Sequence, residues 1–206
     1  MRYCDIKIVR ICILAIFILR GSNLMYKTEY ELRILEVNKE EIIKKLELLN
    51  AQKIGEYNYR RYVYAFKPEV YEKWIRLRTD GKKTTLTIKK IEDYTISGTK
   101  ESEIEVSDFD STNEILNELG YTAKSYQENK RIQYTLDDVE IDIDTWPLIP
   151  TYVEIEGKSK EDVYKVLEKL EVNKEKVTSL DVESIFREIY GIDIADKKIL
   201  KFEENA

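Results

Sequence analysis

From Tyr26 to Glu156 the chain alternates apolar and polar residues with a period of two. That period sends successive side chains to opposite sides of an extended strand, so a chain written this way is committed to sheet with one apolar and one polar face. The alternation predicts eight strands, over Tyr26–Leu35, Tyr57–Phe66, Lys73–Thr79, Thr84–Ile91, Thr99–Val106, Tyr126–Leu136, Val139–Thr145 and Thr151–Glu156. Eight strands are enough to close a sheet on itself and remove its edges. Helical spacing of apolar residues appears over Lys39–Asn50, Ser111–Leu119, Ser159–Leu170 and Asp181–Tyr190. Asn38, Ser111 with Glu114, Ser159 and Asp181 read as start signals, and Gly120 and Gly191 as stops. Asp80-Gly81 predicts a tight hairpin between the third and fourth strands. With no repeat, low-complexity tract or Pro/Gly/Ser-rich linker, residues 25–191 read as one domain, followed by a tail over 192–206.

Residues of one parity share a face, which lets the polar faces be written out. Glu29, Glu31 and Arg33 share one on the first strand, Arg76 and Arg78 on the third, and Lys89 joins Thr85 and Thr87 on the fourth. Glu101, Glu103 and Glu105 share the fifth strand, Asn129, Arg131 and Gln133 the sixth, Glu140, Asp142 and Asp144 the seventh, and Tyr152, Glu154 and Glu156 the last. Alternation alone leaves two architectures open: charged faces in solvent, or charged faces turned into a closed lumen. Same-face pairs such as Glu29/Glu31, Arg76/Arg78 and Glu154/Glu156 favour the lumen, because like charges so placed repel unless counterions relieve them. A lumen with carboxylates and cations on its walls suits a polyanion with bound cations, since Arg and Lys hold phosphoryl oxygens and carboxylates hold metal.

Composition narrows the chemistry. Acids outnumber bases 40 to 34, so net charge draws the chain to neither nucleic acid nor anionic membrane. The chain has no histidine, which removes Ser-His and Cys-His catalysis and histidine-ligated zinc. Metal chemistry must then use carboxylates, which favour Mg²⁺ or Mn²⁺. Cys4 and Cys12 both precede the folded body, which therefore has no disulfide framework and suits a reducing cytoplasm. The apolar run Ile11–Leu19 behind Arg2, Lys7 and Arg10 is short for a membrane span, and Arg20-Gly21-Ser22-Asn23 offers no A-x-A-like cleavage site. Residues 1–24 read as a leader upstream of a true start at Met25.

In order along the chain stand Glu29-Tyr30-Glu31-Leu32-Arg33, Arg76-Leu77-Arg78, Thr85-Leu86-Thr87-Ile88-Lys89, Glu103-Ile104-Glu105, Glu128-Asn129-Lys130-Arg131, Asp142-Ile143-Asp144-Thr145-Trp146-Pro147 and Val153-Glu154-Ile155-Glu156. Together these resemble the CYTH, or triphosphate tunnel, superfamily, which includes class IV adenylyl cyclases, thiamine triphosphatases and inorganic tripolyphosphatases. The resemblance implies an α+β fold: an eight-stranded antiparallel tunnel with helices outside it. It further implies Mg²⁺ or Mn²⁺ held by Glu29, Glu31 and Glu156, with Glu154, Asp144, Glu103 and Glu105 next. Phosphate would be held by Arg33, Arg76, Arg78, Lys89 and Arg131, and catalysis carried by Glu29, Glu31, Arg33, Lys89 and Arg131. The implied partner is a small-molecule triphosphate, with a homodimer left open.

Two departures stand out: Arg33 replaces a usual lysine, and Asn129 stands where many members carry the lysine of K-x-R, which bears on hydrolysis if that lysine supports water activation. The favoured activity is a triphosphatase, because no nucleobase pocket is legible. A cyclase converting ATP to cyclic AMP and pyrophosphate, and a non-catalytic polyphosphate-binding module, are the alternatives. Tyr57, Tyr59, Tyr62 and Tyr64 read as packing residues, and Trp146-Pro147 and Pro150 as shaping the turn before the last strand.

Overall fold

The alternating segments become strands of one sheet because each has a continuous apolar stripe to bury, and the helices supply the cover. The computed structural model describes residues 25–194 and 197–203, so the leader expected over residues 1–24 lies outside the described residues. In chain order the elements are β1 (Lys27–Thr28), β2 (Tyr30–Ile34), α1 (Lys39–Leu48), β3 (Gln52–Ala65), β4 (Lys73–Thr79), β5 (Thr84–Ile91), β6 (Thr99–Val106), α2 (Phe109–Glu118), β7 (Ser125–Leu136), β8 (Val139–Thr145), β9 (Tyr152–Gly157), α3 (Lys160–Lys169), β10 (Val177–Thr178), α4 (Val182–Ser184) and β11 (Ile199–Leu200). A 3₁₀ turn precedes β10, and α4 continues into a π-turn over Ile185–Ile189.

The strand order is β1-β6-β5-β4-β3-β7-β8-β9-β2-β10, antiparallel throughout, with β11 added in parallel beside β7. The sheet thus has eleven strands and not the expected eight. Two causes account for the difference. The first predicted strand breaks at Glu29, and the two-residue strands β10 and β11 are too short to carry any alternation. The break also shapes the fold: Lys27 pairs with Glu101 on β6, whereas Tyr30–Ile34 pair with Gly157–Val153 on β9. One short stretch of chain therefore bonds to both ends of the sheet and curls it into a barrel-like tunnel. β3 starts five residues before its predicted beginning, because Gln52–Glu56 pair with Thr135–Ile132 of β7 across a bulge between Lys53 and Gly55.

The apolar faces point outward. Leu32, Ile141, Ile143 and Ile155 of the sheet pack with Leu46 of α1 and Val163 and Val166 of α3. Tyr64, Ile75 and Leu77 pack with Phe109 and Leu116 of α2. Trp146, Tyr152, Ile185, Phe186 and Leu200 form a third cluster at the end of the tunnel that α4 covers. Asp108, and not Ser111, caps α2 by accepting from the Ser111 N–H at 2.7 Å, which moves the helix start forward to Phe109. Gly81 (φ +90°) and Gly120 (φ +88°) take left-handed conformations at the predicted hairpin and the predicted helix stop.

Ser159 accepts the Asp162 N–H at 3.2 Å and donates to the Asp162 carboxylate at 2.7 Å, closing the start of α3. Ser159→Ala is expected to cost about 1 kcal/mol, which a thermal melt reads as a fall of roughly 2–4 °C for a domain of this size.

Candidate active site: an ionic tunnel

The polar faces of β1–β9 meet around one cavity of ≈ 320 Å³. Ten carboxylates and seven cationic side chains line it, together with Trp74, Trp146 and Tyr152. Of the site residues expected from sequence, Glu29, Glu31, Arg33, Arg76, Arg78, Lys89, Glu103, Arg131, Asp144, Glu154 and Glu156 all line this cavity. Glu105 does not. It lies at the far end of β6, exposed, with Lys83 3.5 Å away.

The charges interleave. Lys89 sits between Glu29 (2.9 Å) and Glu101 (3.4 Å), and Arg76 between Glu103 (3.3 Å) and Glu101 (3.7 Å). Arg33 joins Glu31 (2.8 Å) to Glu154 (2.5 Å). Arg131 grips Asp144 with two nitrogens, at 2.9 and 2.5 Å, reaches Glu154 at 3.3 Å and also bonds Asp142. Such charge-assisted forks are the strong form of the hydrogen bond, and they fix the side chains before any ligand arrives.

One region is over-supplied with negative charge. Glu31 and Glu156 stand directly opposite each other across β2–β9, and Glu140 and Glu156 do so across β8–β9. Burial pushes the Glu29 carboxyl up to about 8, and Glu31, Glu101 and Glu156 add to the rise against the pull of Lys89. Burial, followed by repulsion from Glu154 and Glu31, also raises Glu156, whose nearest cation is the exposed Lys27 at 3.4 Å. Glu154 goes the other way: although buried, it is held below the usual carboxylate range by Arg33 and Arg131. Across β8–β9 from it, burial pushes Asp142 up to about 9, and the Asp142 Oδ1 has no hydrogen-bond partner.

This donor set fits a hard divalent cation. It consists of oxygens only, and its mutual repulsion would fall on binding a positive charge. Among the described residues no three carboxylates already form a compact cage. Lys89 and Arg33 lie between the acids, which a cation would draw together.

Several lining residues are not among the site residues expected from sequence. Glu101 and Glu140 share faces with expected residues, so parity already pointed to them. Arg61 did not stand out, because β3 carries tyrosines on both faces and neither reads as polar. The structure separates those tyrosines. Tyr62 packs outside against Phe109 (5.1 Å), whereas Tyr59 lies on the inner face beneath Arg78 (4.6 Å). Trp146, expected only to shape a turn, is buried in the cavity wall with Arg61 4.6 Å over its ring and its indole N–H donating to the Tyr152 hydroxyl at 3.0 Å.

The CYTH domain pattern matches residues 27–185, which span all the tunnel strands from β1 to β10. The chain belongs to the CYTH domain family. Solved structures that resemble this CYTH protein include a conserved hypothetical protein from Pyrococcus furiosus, 24% identical over 75% of this chain and 98% of that one, with a TM-score of 0.67. A candidate adenylate cyclase from Vibrio parahaemolyticus is 12% identical over 79% and 99%, with a TM-score of 0.67. A candidate adenylyl cyclase from Hippeastrum, described as having a dominant triphosphatase activity, is 16% identical over 80% and 96%, with a TM-score of 0.54. At these identities the likeness is one of fold. No curated protein matches the chain. Among the described residues, no helix of this CYTH protein is long and apolar enough to cross a membrane.

Proposed function

We propose that this CYTH protein is a metal-dependent triphosphatase that holds the triphosphate group of its substrate inside the tunnel. The observation that carries the reading is the meeting of buried arginines and lysine with an excess of carboxylates around a single ≈ 320 Å³ space. That volume lies near the lower end for small-molecule sites, and the walls are charged where most such sites are apolar. Only a compact, highly charged ligand with accompanying cations neutralises both sets of side chains.

In this reading Arg76, Arg78, Arg131 and Lys89 bind phosphoryl oxygens, and Arg33 aligns Glu31 with Glu154. Glu29, Glu31 and Glu156 would hold Mg²⁺ or Mn²⁺, with Glu103, Asp144 and Glu154 near enough to contribute. Such an ion would supply positive charge against the phosphoryl oxygens and Lewis acidity toward water. Phosphoryl transfer requires little covalent help, so prior positioning and fixed charge are what the side chains must provide. Asn129 donates to Asp144 at 2.9 Å and cannot act as a base, so water activation falls to the carboxylate end of the tunnel.

A second reading, conversion of ATP to cyclic AMP and pyrophosphate, is favoured by one observation that the sequence did not disclose. A further cavity of ≈ 450 Å³, lined by Trp74, Tyr71, Tyr94 and Ile91, adjoins the ionic one and shares Val63, Trp74 and Gln127 with it. An organic substituent on the triphosphate fits there.

Incubation with Mg²⁺ or Mn²⁺ and tripolyphosphate, thiamine triphosphate or ATP separates the readings. Release of phosphate is the expected result. Cyclic AMP with pyrophosphate would replace the triphosphatase by the cyclase, and tight binding without turnover would replace both by a binding module.

A further inference from the structure

Arg61 and Arg78 face each other directly across β3–β4, and both line the ionic cavity. Every other arginine or lysine deep in that cavity has a carboxylate close by: Arg33 has Glu31, Arg76 has Glu103, Lys89 has Glu29 and Arg131 has Asp144. Among the described residues Arg61 and Arg78 have none within 4.0 Å. Arg61 is only 8% exposed, and among the described residues its Nε, like those of Arg33 and Arg76, has no hydrogen-bond partner. Thr85, which stands opposite Arg78 on β5, also has a buried hydroxyl without a partner. Two guanidiniums and an idle hydroxyl thus converge on one stretch of wall, where the charges destabilise the fold and the polar atoms go unsatisfied. Burial, with repulsion from Arg78 and Arg76, lowers Arg61 below its ordinary range, and burial with repulsion from Arg76 and Arg131 pushes Arg78 down to about 10. An anion in the cavity would relieve the two guanidiniums together.

We propose that Arg61 is a phosphoryl-binding residue of this tunnel, paired with Arg78 and supplying positive charge from β3. This rests on the triphosphate reading above. The Asn129 Oδ1 accepts from Arg61 Nη2 while its Nδ2 donates to Asp144. Asn129 therefore orients Arg61 and does not itself carry charge to the ligand. The Trp146 ring beneath the guanidinium fixes its plane, leaving its free edge for phosphoryl oxygens.

Calorimetric titration with inorganic tripolyphosphate, with and without Mg²⁺, tests this alongside thermal melts of the ligand-free protein. Arg61→Met keeps an unbranched side chain beside Trp146 and removes the charge. It is expected to weaken tripolyphosphate binding by roughly 10- to 100-fold, the range for one lost charged hydrogen bond, while the melting temperature holds or rises because an uncompensated buried charge is gone. Adding Asn129→Lys to Arg61→Met returns a positive charge to the neighbouring position and is expected to recover affinity; no recovery would overturn the claim that the charge of Arg61 is what binds. Unchanged affinity with a lowered melting temperature would mark Arg61 as structural and overturn the proposal. Should Arg61→Met fail to fold, Arg61→Gln decides, since it keeps a hydrogen-bonding side chain beside Asn129 and removes the charge: weaker binding supports the proposal and unchanged binding refutes it. If the unmodified protein binds no tripolyphosphate under either condition, the triphosphate reading fails and takes this inference with it. Binding that ignores every Arg61 substitution sinks this inference alone.

Discussion

Replacing Glu31 or Glu156 by glutamine is expected to lower turnover of the preferred triphosphate by roughly 10²- to 10³-fold, the scale seen when one fixed electrostatic group is lost from a transition-state site. The two carboxylates are directly opposed across β2–β9, so each substitution removes one wall of the proposed cation site. Their effects on stability should differ. Glu156 is raised by burial and by its acidic neighbours, and Lys27 beside it is largely exposed, so Glu156→Gln removes repulsion and the melting temperature should hold or rise. Glu31→Gln takes away a buried partner of Arg33, but Glu154 still holds that guanidinium at 2.5 Å, so the fold should survive with a modest loss. Initial rates at saturating Mg²⁺ or Mn²⁺, set beside circular-dichroism melts, check both parts. Near-native rates in both variants would remove these residues from the metal site.

Arg131→Ala is expected to destabilise the protein more than any other single change in the tunnel. The guanidinium holds Asp142, Asp144 and Glu154 together, and removing it strands buried carboxylates on β8 and β9. Removing one partner from a buried ion pair costs about 3–5 kcal/mol, equivalent to a fall in melting temperature of roughly 10 °C or more at this chain length. Arg131→Lys should recover only part of it, because an ammonium cannot reproduce the two-nitrogen grip on Asp144. The loss should also depend on pH. Glu154 is held below its ordinary range, so the stability it contributes is present above its unfolded pKa and disappears as pH falls through the folded value. Without Arg131 it is held less firmly, and any carboxylate raised by the change penalises folding above its unfolded pKa. The deficit should therefore be largest at neutral pH and shrink below about pH 5. Denaturant titrations of both proteins at pH 7 and pH 4.5 would show the two curves converge. Parallel curves would mean that Arg131 is not the strut described here.

Much of the candidate site was legible because face assignment is a local matter. A period of two decides, residue by residue, that Glu29, Glu31 and Arg33 lie together and that Leu32 and Ile34 do not, whatever the strand pairs with. The structure places eleven of the twelve sequence-derived site residues on one cavity for that reason. Glu105 shares the parity of its neighbours, but the cavity ends before the far end of β6, and parity says nothing about depth. Arg61 was illegible for the opposite reason: tyrosines on both faces of β3 hide its polarity, and only the pairing with β4 brings it against Arg78. The short strands β10 and β11 hold so few residues that no period exists to be read.

The sequence by itself determined which side chains face the lumen and which face the helices, because that choice is made within each strand by backbone geometry. Only the tertiary structure decided which charges touch: that the break at Glu29 ties both ends of the sheet together, that Glu31 meets Glu156, that Arg131 gathers three carboxylates, and that among the described residues Arg61 and Arg78 are left without any. Those contacts join residues far apart along the chain, and electrostatic energy depends on separation in space, which periodicity does not encode.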